Sequence, residues 1–546
     1  MIAPGLLVRR ALPFALAIGI WLVPVPAGLT APAWHLFAIF VASIAAVLVG
    51  AFPLLTSTML AVAAVVLTGT ISPAKAFSGF ANASVLLVVI AFLVAQAVVK
   101  SGLGERISLL MVSRFGYSSL GLAYSIVLTD AVIAPAFPSN TARGGVLFPV
   151  VLSVATGSGS RPDDPEGRRL GGYLMYCAMA SLAVSSALWM TATSANPIGI
   201  QVVREFGLEI GFGKWLVVAS VPALTAILLV PRVVAWMYPP GIGKTPDAPV
   251  AARRALAELG RLSRDERITA VVFVLMVSGW IFADALGLNV TSIAFAGLGM
   301  LLLTNVLTVD DIAAQGDTLA TFLWLAVLFA LSGQLNELGF MGYAGQRLAE
   351  HLGGLSWPVT YVTLVVLYVA IHYMFVSQSS QVLALLGVFL DVGIRGGVPA
   401  PLMGLALLFA SSHFSVMTPQ GGSQNVIFVG AGYLTLRELY RLGLLMILFL
   451  MAITQTGWAL DGSKDLISDG ERNHVPFELQ ALRDQQGVGF SPSDAVQNMS
   501  LARNRPVVTA TAVATTPGIM NEWLSTYLPI FVVPDRSKLI AAISEP

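Results

Sequence analysis

Charge is what this chain has least of. Only 11% of its 546 residues are Asp, Glu, Lys or Arg, against 56% hydrophobic, and the formal net charge is +1. A soluble chain of that length needs far more polar surface, whereas a protein that crosses a bilayer many times does not. The near-neutral balance, with basic residues scattered through loops, excludes an electrostatic nucleic-acid surface, so no nucleic acid is expected as a partner. Cysteine is almost missing: Cys177 alone cannot form an intramolecular disulfide and sits in an apolar run, where it reads as a small buried hydrophobe. The five histidines (His35, His351, His372, His413, His474) show no metal-ligand spacing, and no cofactor is expected on that ground. No Gly-x-Ser-x-Gly elbow, histidine base beside Ser139 or paired-aspartate motif is present, which leaves a membrane-embedded hydrolase without a nucleophile and base.

Long apolar runs are abundant instead. They predict an all-α multispan membrane protein with about eleven transmembrane helices near 11–28, 33–50, 54–71, 83–100, 170–194, 214–237, 268–286, 290–307, 317–338, 400–416 and 438–459. The run after Arg9-Arg10 reads as an uncleaved first helix because further spans follow at once. Two other segments, 119–158 and 356–396, are apolar but broken in the middle, and are expected to be re-entrant helical hairpins. With the N-terminus inside, sixteen Lys and Arg fall in cytoplasmic segments and five outside, which orients the chain N-in in a cell (inner) membrane with the C-terminus extracytoplasmic. The expected organisation is an N-terminal helix over 1–32, a first repeat over 33–237 and a charged cytoplasmic linker over 238–267. A second repeat over 268–460 and a polar tail over 461–546 follow. Residues 337–350, with Glu337, Gln346, Arg347 and Glu350, read as an interfacial amphipathic helix.

The halves echo one another. Ser139 recurs as Ser377 (377 − 139 = 238), Leu103-Gly104 as Leu338-Gly339 (338 − 103 = 235), and Met190-Thr191 as Met417-Thr418 (418 − 191 = 227). Matching interruptions of apolar segments in two halves of opposite topology point to an inverted-repeat secondary transporter with its site between them. A channel would also have re-entrant loops, but no ring-forming filter motif is visible.

The interruptions supply the candidate site. The tips Ser139-Asn140-Thr141 and Ser377-Gln378-Ser379 are paired with breaks at Thr191–Pro197 and Thr418–Asn425. Half-helix N-termini present N–H donors and partial positive charge, and hydroxyl and amide side chains add neutral hydrogen bonds, so an anionic small molecule is expected. Unwound carbonyls suit Na⁺ instead. Arg143 is a cation at membrane depth, which would cost about 2.5–3.5 kcal/mol if exposed to lipid. It either offsets a substrate carboxylate or pairs with Asp130 across the hairpin, and both readings stand. If it binds substrate, Arg143→Gln abolishes uptake and leaves folding intact.

The run Ala134-Pro-Ala-Phe-Pro-Ser-Asn-Thr-Ala-Arg-Gly-Gly145, with Met190-Thr-Ala-Thr-Ser-Ala-Asn-Pro197 and Phe428-Val-Gly-Ala-Gly-Tyr433, resembles the divalent anion:sodium symporter (DASS) family over about residues 10–460. The likeness is greatest to its citrate/succinate antiporter and 2-oxoglutarate/malate translocator branch. The resemblance implies a homodimer with scaffold and transport domains that carries di- or tricarboxylates by an elevator-like motion, either in exchange or with Na⁺; sulfate is a substrate of some relatives. It assigns Ser139, Asn140, Thr141, Asn196, Ser377, Gln378, Ser379 and Thr418 to the substrate, with Arg143 as the added candidate. Ser139, Asn140, Thr193 and Asn196 are the residues it places nearest to a possible Na⁺. The second tip departs from the usual Ser-Asn-Thr or Ser-Leu-Thr.

Overall fold

The computed structural model describes residues 4–460, apart from positions 165, 353, 354 and 376. The tail expected over 461–546 lies outside the described residues. Among the described residues the protein is helical throughout, with one isolated bridge between Ser118 and Lys244 and no strand. Six helices are long and apolar enough to cross a bilayer, from Ala31–Leu48 to Gly316–Glu337, and four shorter apolar helices accompany them.

Local chemistry sets the helix starts. Thr30, Asn82, Asn289 and Ser263 accept backbone N–H groups at their N-caps, and Ser263 with Glu266 closes a capping box. Helix Arg168–Leu188 runs through the middle of the bundle, and every residue from Leu170 to Leu188 is buried. Lipid cannot reach it, which frees its polar residues Ser181, Ser185 and Ser186 for a protein-lined interior. Gly79 shows how tightly neighbours approach: a Cβ there would lie 1.9 Å from the carbonyl oxygen of Ala326.

Both broken apolar segments are helical hairpins. The first consists of Ser119–Ile133 and Asn140–Gly157, joined by a short 3₁₀ turn at Ala134–Ala136. The second consists of Trp357–His372 and a returning arm of Gln378–Gln381, a π-helical stretch Val382–Leu386, and Gly387–Arg395. Hydropathy gives no hint of that π stretch, because its residues Val-Leu-Ala-Leu-Leu are ordinary helix formers. The span expected over 170–194 does not simply end. After a 3₁₀ turn at Met190–Ala192 the chain resumes as helix Ala195–Arg204. In the second half, Ala400–His413 is followed by two 3₁₀ turns and helix Ser423–Gly430. The linker over 238–267 holds an amphipathic helix, Asp247–Leu259, and Phe340–Leu352 is the amphipathic helix expected near 337–350.

Ion pairs join helix ends that the loop charges assign to one side of the membrane. Lys75 pairs with Glu337 on one side, and Lys100 with Asp311, 2.6 Å apart, on the other. The pair with most structural consequence is Arg106–Glu266. Arg106 Nε donates to Glu266 at 2.5 Å while its Nη1 donates to the carbonyl of Gly260 at 3.0 Å. This buried guanidinium ties helix Leu103–Phe115 to the linker and to the cap of helix Arg264–Ile281. Removing one partner of a buried pair costs roughly 3–5 kcal/mol, whereas an exposed pair contributes about 0–1 kcal/mol. Glu266→Ala should therefore lower the apparent melting temperature of the detergent-solubilised protein by several degrees, and Lys75→Ala should leave it nearly unchanged.

Candidate functional site

Each hairpin tip begins its returning helix with a hydroxyl residue. Ser139 is extended and its Oγ accepts from the N–H of Ala142 at 3.2 Å, so Asn140, buried, and Thr141, exposed, open the returning helix. The tip docks on the adjacent break, where the N–H of Ser194 donates to the carbonyl of Pro138 at 3.0 Å. Ser377 is likewise extended, with Gln378 opening the second returning arm.

The two tips and two breaks enclose one open cavity of about 440 Å³. Ser139, Asn140 and Thr141 line it from the first tip, and Ser377, Gln378 and Ser379 from the second. Thr193 and Ser194 line it from the first break, and Gly422, Ser423 and Gln424 from the second. The halves touch across it: Ser194 and Ser379 are hydrogen-bonded at 2.8 Å, Thr193 Oγ1 donates to Gln378 Oε1 at 3.5 Å, and Thr141 bonds Ser423. The far wall comes from helices Ala83–Lys100 and Gly316–Glu337 through Gln96, Asp317, Thr321 and Trp324. Sequence reasoning passed over these four because Gln96, Thr321 and Trp324 are single polar or aromatic residues inside continuous apolar spans and Asp317 stands at the edge of one. Ser423 and Gln424 fell within the recognised second break, but nothing in their spacing singled them out.

Arg143, Asn196 and Thr418 are not on the cavity wall. Arg143 is fully buried, and its side chain turns back into the protein. Its Nη1 donates to Asp130 Oδ1 at 2.9 Å and to Ser185 Oγ. Its Nη2 is ringed by four oxygens: Asn140 Oδ1, Ser186 Oγ at 2.6 Å, and the carbonyls of Leu182 and Ala192, each at 3.2 Å. Of the two readings open from the sequence, the geometry matches the Asp130 pair. A guanidinium has donors only, so it fixes which end of Asn140 faces it. Asn140 Oδ1 points inward, where Ser186 Oγ also donates to it at 2.7 Å, and its Nδ2 is left as a donor without a partner.

The second half repeats the positions with different chemistry. Adding 238 to Asp130 and Arg143 gives Tyr368 and Gln381, and Gln381 Nε2 donates to the carbonyl of Tyr368 at 2.8 Å. Asp130 is bonded to Ser185 at 2.5 Å, and Tyr368 Oη to Ser411 at 3.0 Å. The breaks match by an offset of 229. Asn196 Nδ2 donates to the carbonyls of Ser186 and Trp189, and Asn425 Nδ2 to those of Ser415 and Thr418. Asn196 and Asn425 thus hold the unwound backbone through their Nδ2 groups. The first half is clasped by an ion pair and the second by neutral groups.

These bonds also engage the oxygen set suggested for Na⁺. Asn140 Oδ1 already accepts from a guanidinium and a hydroxyl, Asn196 Oδ1 accepts from Ser412 Oγ at 3.4 Å, and Thr193 Oγ1 donates to Gln378. The side-chain oxygens of Ser139, Asn140, Thr193 and Asn196 thus have hydrogen-bond partners within the protein, and Arg143 Nη2 sits among four oxygens in the same half. Three carboxamide donors around the cavity have no partner. Asn140 Nδ2, Gln378 Nε2 and Gln424 Nε2 are buried without partners, and all three residues line it. A buried unpaired N–H costs about 1–3 kcal/mol, and an oxyanion relieves it. The N-termini of helices Asn140–Gly157 and Ser423–Gly430 add partial positive charge at the same place.

A sequence model of the sodium:sulfate symporter transmembrane region matches residues 5–460. The chain is 35% identical over 463 residues to a chloroplastic dicarboxylate transporter 2 of Spinacia oleracea, covering 83% of this chain and 81% of that one. It is 36% identical over 431 residues to chloroplastic dicarboxylate transporter 1 of Arabidopsis thaliana, covering 78% and 77%. An inner membrane protein of Escherichia coli is 33% identical over 447 residues, covering 80% of this chain and 93% of its own length.

The burial of Arg143 revises the expected outcome of Arg143→Gln. That change strands Asp130 as an unpaired buried charge and should cost roughly 3–5 kcal/mol of stability as well as uptake. Adding Asp130→Asn should restore most of the melting temperature. Uptake should stay at least tenfold low, because Asn140 is then free to turn its oxygen toward the anion.

Proposed function

This chain belongs to the sodium:sulfate symporter family, the divalent anion:sodium symporters, and from that membership we propose that it carries C4 or C5 dicarboxylates, or citrate, by anion exchange. The family and its relatives are transporters, so the chain is a multi-pass membrane transport protein and not an enzyme. The observation that carries the anion reading is the trio of unpartnered carboxamide donors on Asn140, Gln378 and Gln424, three residues that line one shared cavity. The relatives named for dicarboxylates support the substrate class. Ser139, Thr141, Ser377 and Ser379 complete the binding set in this reading, with Arg143, Asn196 and Thr418 acting from behind the wall.

Exchange is favoured because the oxygen-lined position of the first half is already filled by Arg143 Nη2, a tethered group that stays behind when the substrate leaves and whose charge Asp130 balances. Coupling to Na⁺, for a dicarboxylate or sulfate, remains the second reading, favoured by the description of the matching family.

The elevator-like cycle rests on how polar bonds are distributed. The hairpins and broken helices are bonded to one another through Arg143, Ser194 and Thr141. Toward helix Gly316–Glu337 the bonds are few, Ser332 Oγ to the Leu383 carbonyl and Asn336 Nδ2 to Glu205. A transport domain of hairpins and broken helices moving against a scaffold fits that pattern. The offsets of 238 and 229, each kept by a pair of equivalent bonds, support the inverted repeat. The homodimer, the inner-membrane location and the N-in orientation belong to the same proposal.

Proteoliposomes preloaded with malate should take up labelled malate, 2-oxoglutarate or citrate with no need for Na⁺, and empty ones should not. A strict Na⁺ requirement would favour the second reading. Uptake unaffected by internal anion would point to a channel.

A further inference from the structure

His372 is buried at the end of the first arm of the second hairpin, and both of its ring nitrogens meet acceptors. Nδ1 lies 2.6 Å from Gln381 Oε1, and Nε2 lies 2.8 Å from the carbonyl oxygen of Gly421. The amide of Gln381 is not free to turn over, because its Nε2 already donates to the carbonyl of Tyr368 at 2.8 Å. A backbone carbonyl can only accept. A neutral imidazole has one N–H for these two oxygens, and a ring carrying two protons satisfies both.

Among the described residues, no neighbouring group supplies the missing proton or a charge. Phe414 stacks on the ring at 3.4 Å, and Tyr373 Oη donates to the Phe414 carbonyl. Tyr368 Oη is taken up by Ser411, and Tyr361 Oη by Gln455. Asp391 and Arg395, on the returning arm, pair with each other at 2.6 Å. His413, on helix Ala400–His413, lies against a separate small pocket beside Ala187 and Pro222.

The position links the ring to the substrate cavity. Gly421 precedes the wall residue Gly422, and Gln381 follows the wall residue Ser379 by two positions. The charge balance of that cavity needs a cation. Arg143 is neutralised by Asp130, and Asp317 is the one charged residue among those lining the wall. A doubly charged anion therefore enters with no net positive charge to meet it.

The geometry points to His372 as a proton-binding site coupled to the anion, which takes up a second ring proton from water as the dianion binds and returns it to water when the dianion leaves. The inference rests on the anion-carrier reading above and adds the coupling ion to it. Each ligand favours the other by the same factor, so affinity for the dianion is highest at acid pH and declines as pH rises. In exchange the proton travels with the anion in both directions; in net uptake it is co-transported.

The test measures malate binding to the purified full-length protein by calorimetry in two buffers of different ionisation heat, between pH 6.5 and 8.5, where malate is a dianion throughout. Wild type should take up close to one proton per malate at the alkaline end, with affinity falling by up to about tenfold per pH unit. His372→Gln should bind more weakly, with a flat profile and no proton uptake, while His413→Gln should keep the wild-type profile. Gln381→Glu keeps the histidine and replaces the amide oxygen by a carboxylate that holds the second proton throughout. It should abolish proton uptake and flatten the profile without weakening binding at pH 8.5. Malate binding by wild type with a flat profile and no proton uptake overturns the inference and leaves the carrier reading standing, and so does unchanged uptake in His372→Gln. No malate binding or counterflow at any pH overturns both.

Discussion

The Asp130–Arg143 ion pair is the constraint on which the rest of the site depends. It sits fully buried between the arms of the first hairpin, and it is stable there only because the surrounding oxygens leave little of either charge unpaired. Those oxygens come from helix Arg168–Leu188 and from the 3₁₀ turn that follows it, so satisfying one guanidinium draws hairpin, central helix and break into a single arrangement. Asn140 inherits its orientation from that arrangement. The cavity wall at Asn140 is thus set from behind, by a charge that does not line the cavity.

An anion site assembled mainly from carboxamides, hydroxyls and helix ends has a physical advantage in a carrier. Fixed cations on the wall would hold a dianion tightly and slow its departure. Neutral donors lower the cost of desolvating the anion without creating a deep well, which suits a protein that must release its cargo on the other side. Asp317, exposed on the same wall, works in that direction as well.

Much of the architecture was legible in the residues, because bilayer thickness and backbone hydrogen bonding leave few ways to write a spanning segment. The two interrupted segments announced their hairpins through Pro138-Ser139-Asn140 and Ser377-Gln378-Ser379, polar residues that lipid does not tolerate. The role of Arg143 was not legible. Its distance in sequence from Asp130 allowed the pair, but Ser185, Ser186 and the Ala192 carbonyl, which make burial tolerable, come from another helix. Thr418 and Asn196 looked like ligands because they stand in breaks, but a break also needs side chains to hold its own backbone together: Asn196 and Asn425 do so, and Thr418 contributes its carbonyl to Asn425. Gln424 was hidden for the opposite reason: a glutamine in a glycine-rich stretch carries no pattern until coordinates show its amide unpaired.

The unlike clasps of the two hairpins have a consequence for how far the halves can be interchanged. Several bonds to the main chain recur at matching positions, and to that extent the main chain of either half would accept the other's course. Side chains would not: a cation grafted at Gln381 would find the carbonyl of Tyr368 and no acid, and would be stranded in the interior. Divergence between the halves has therefore become one-way, held in place by solvation energy rather than by shape.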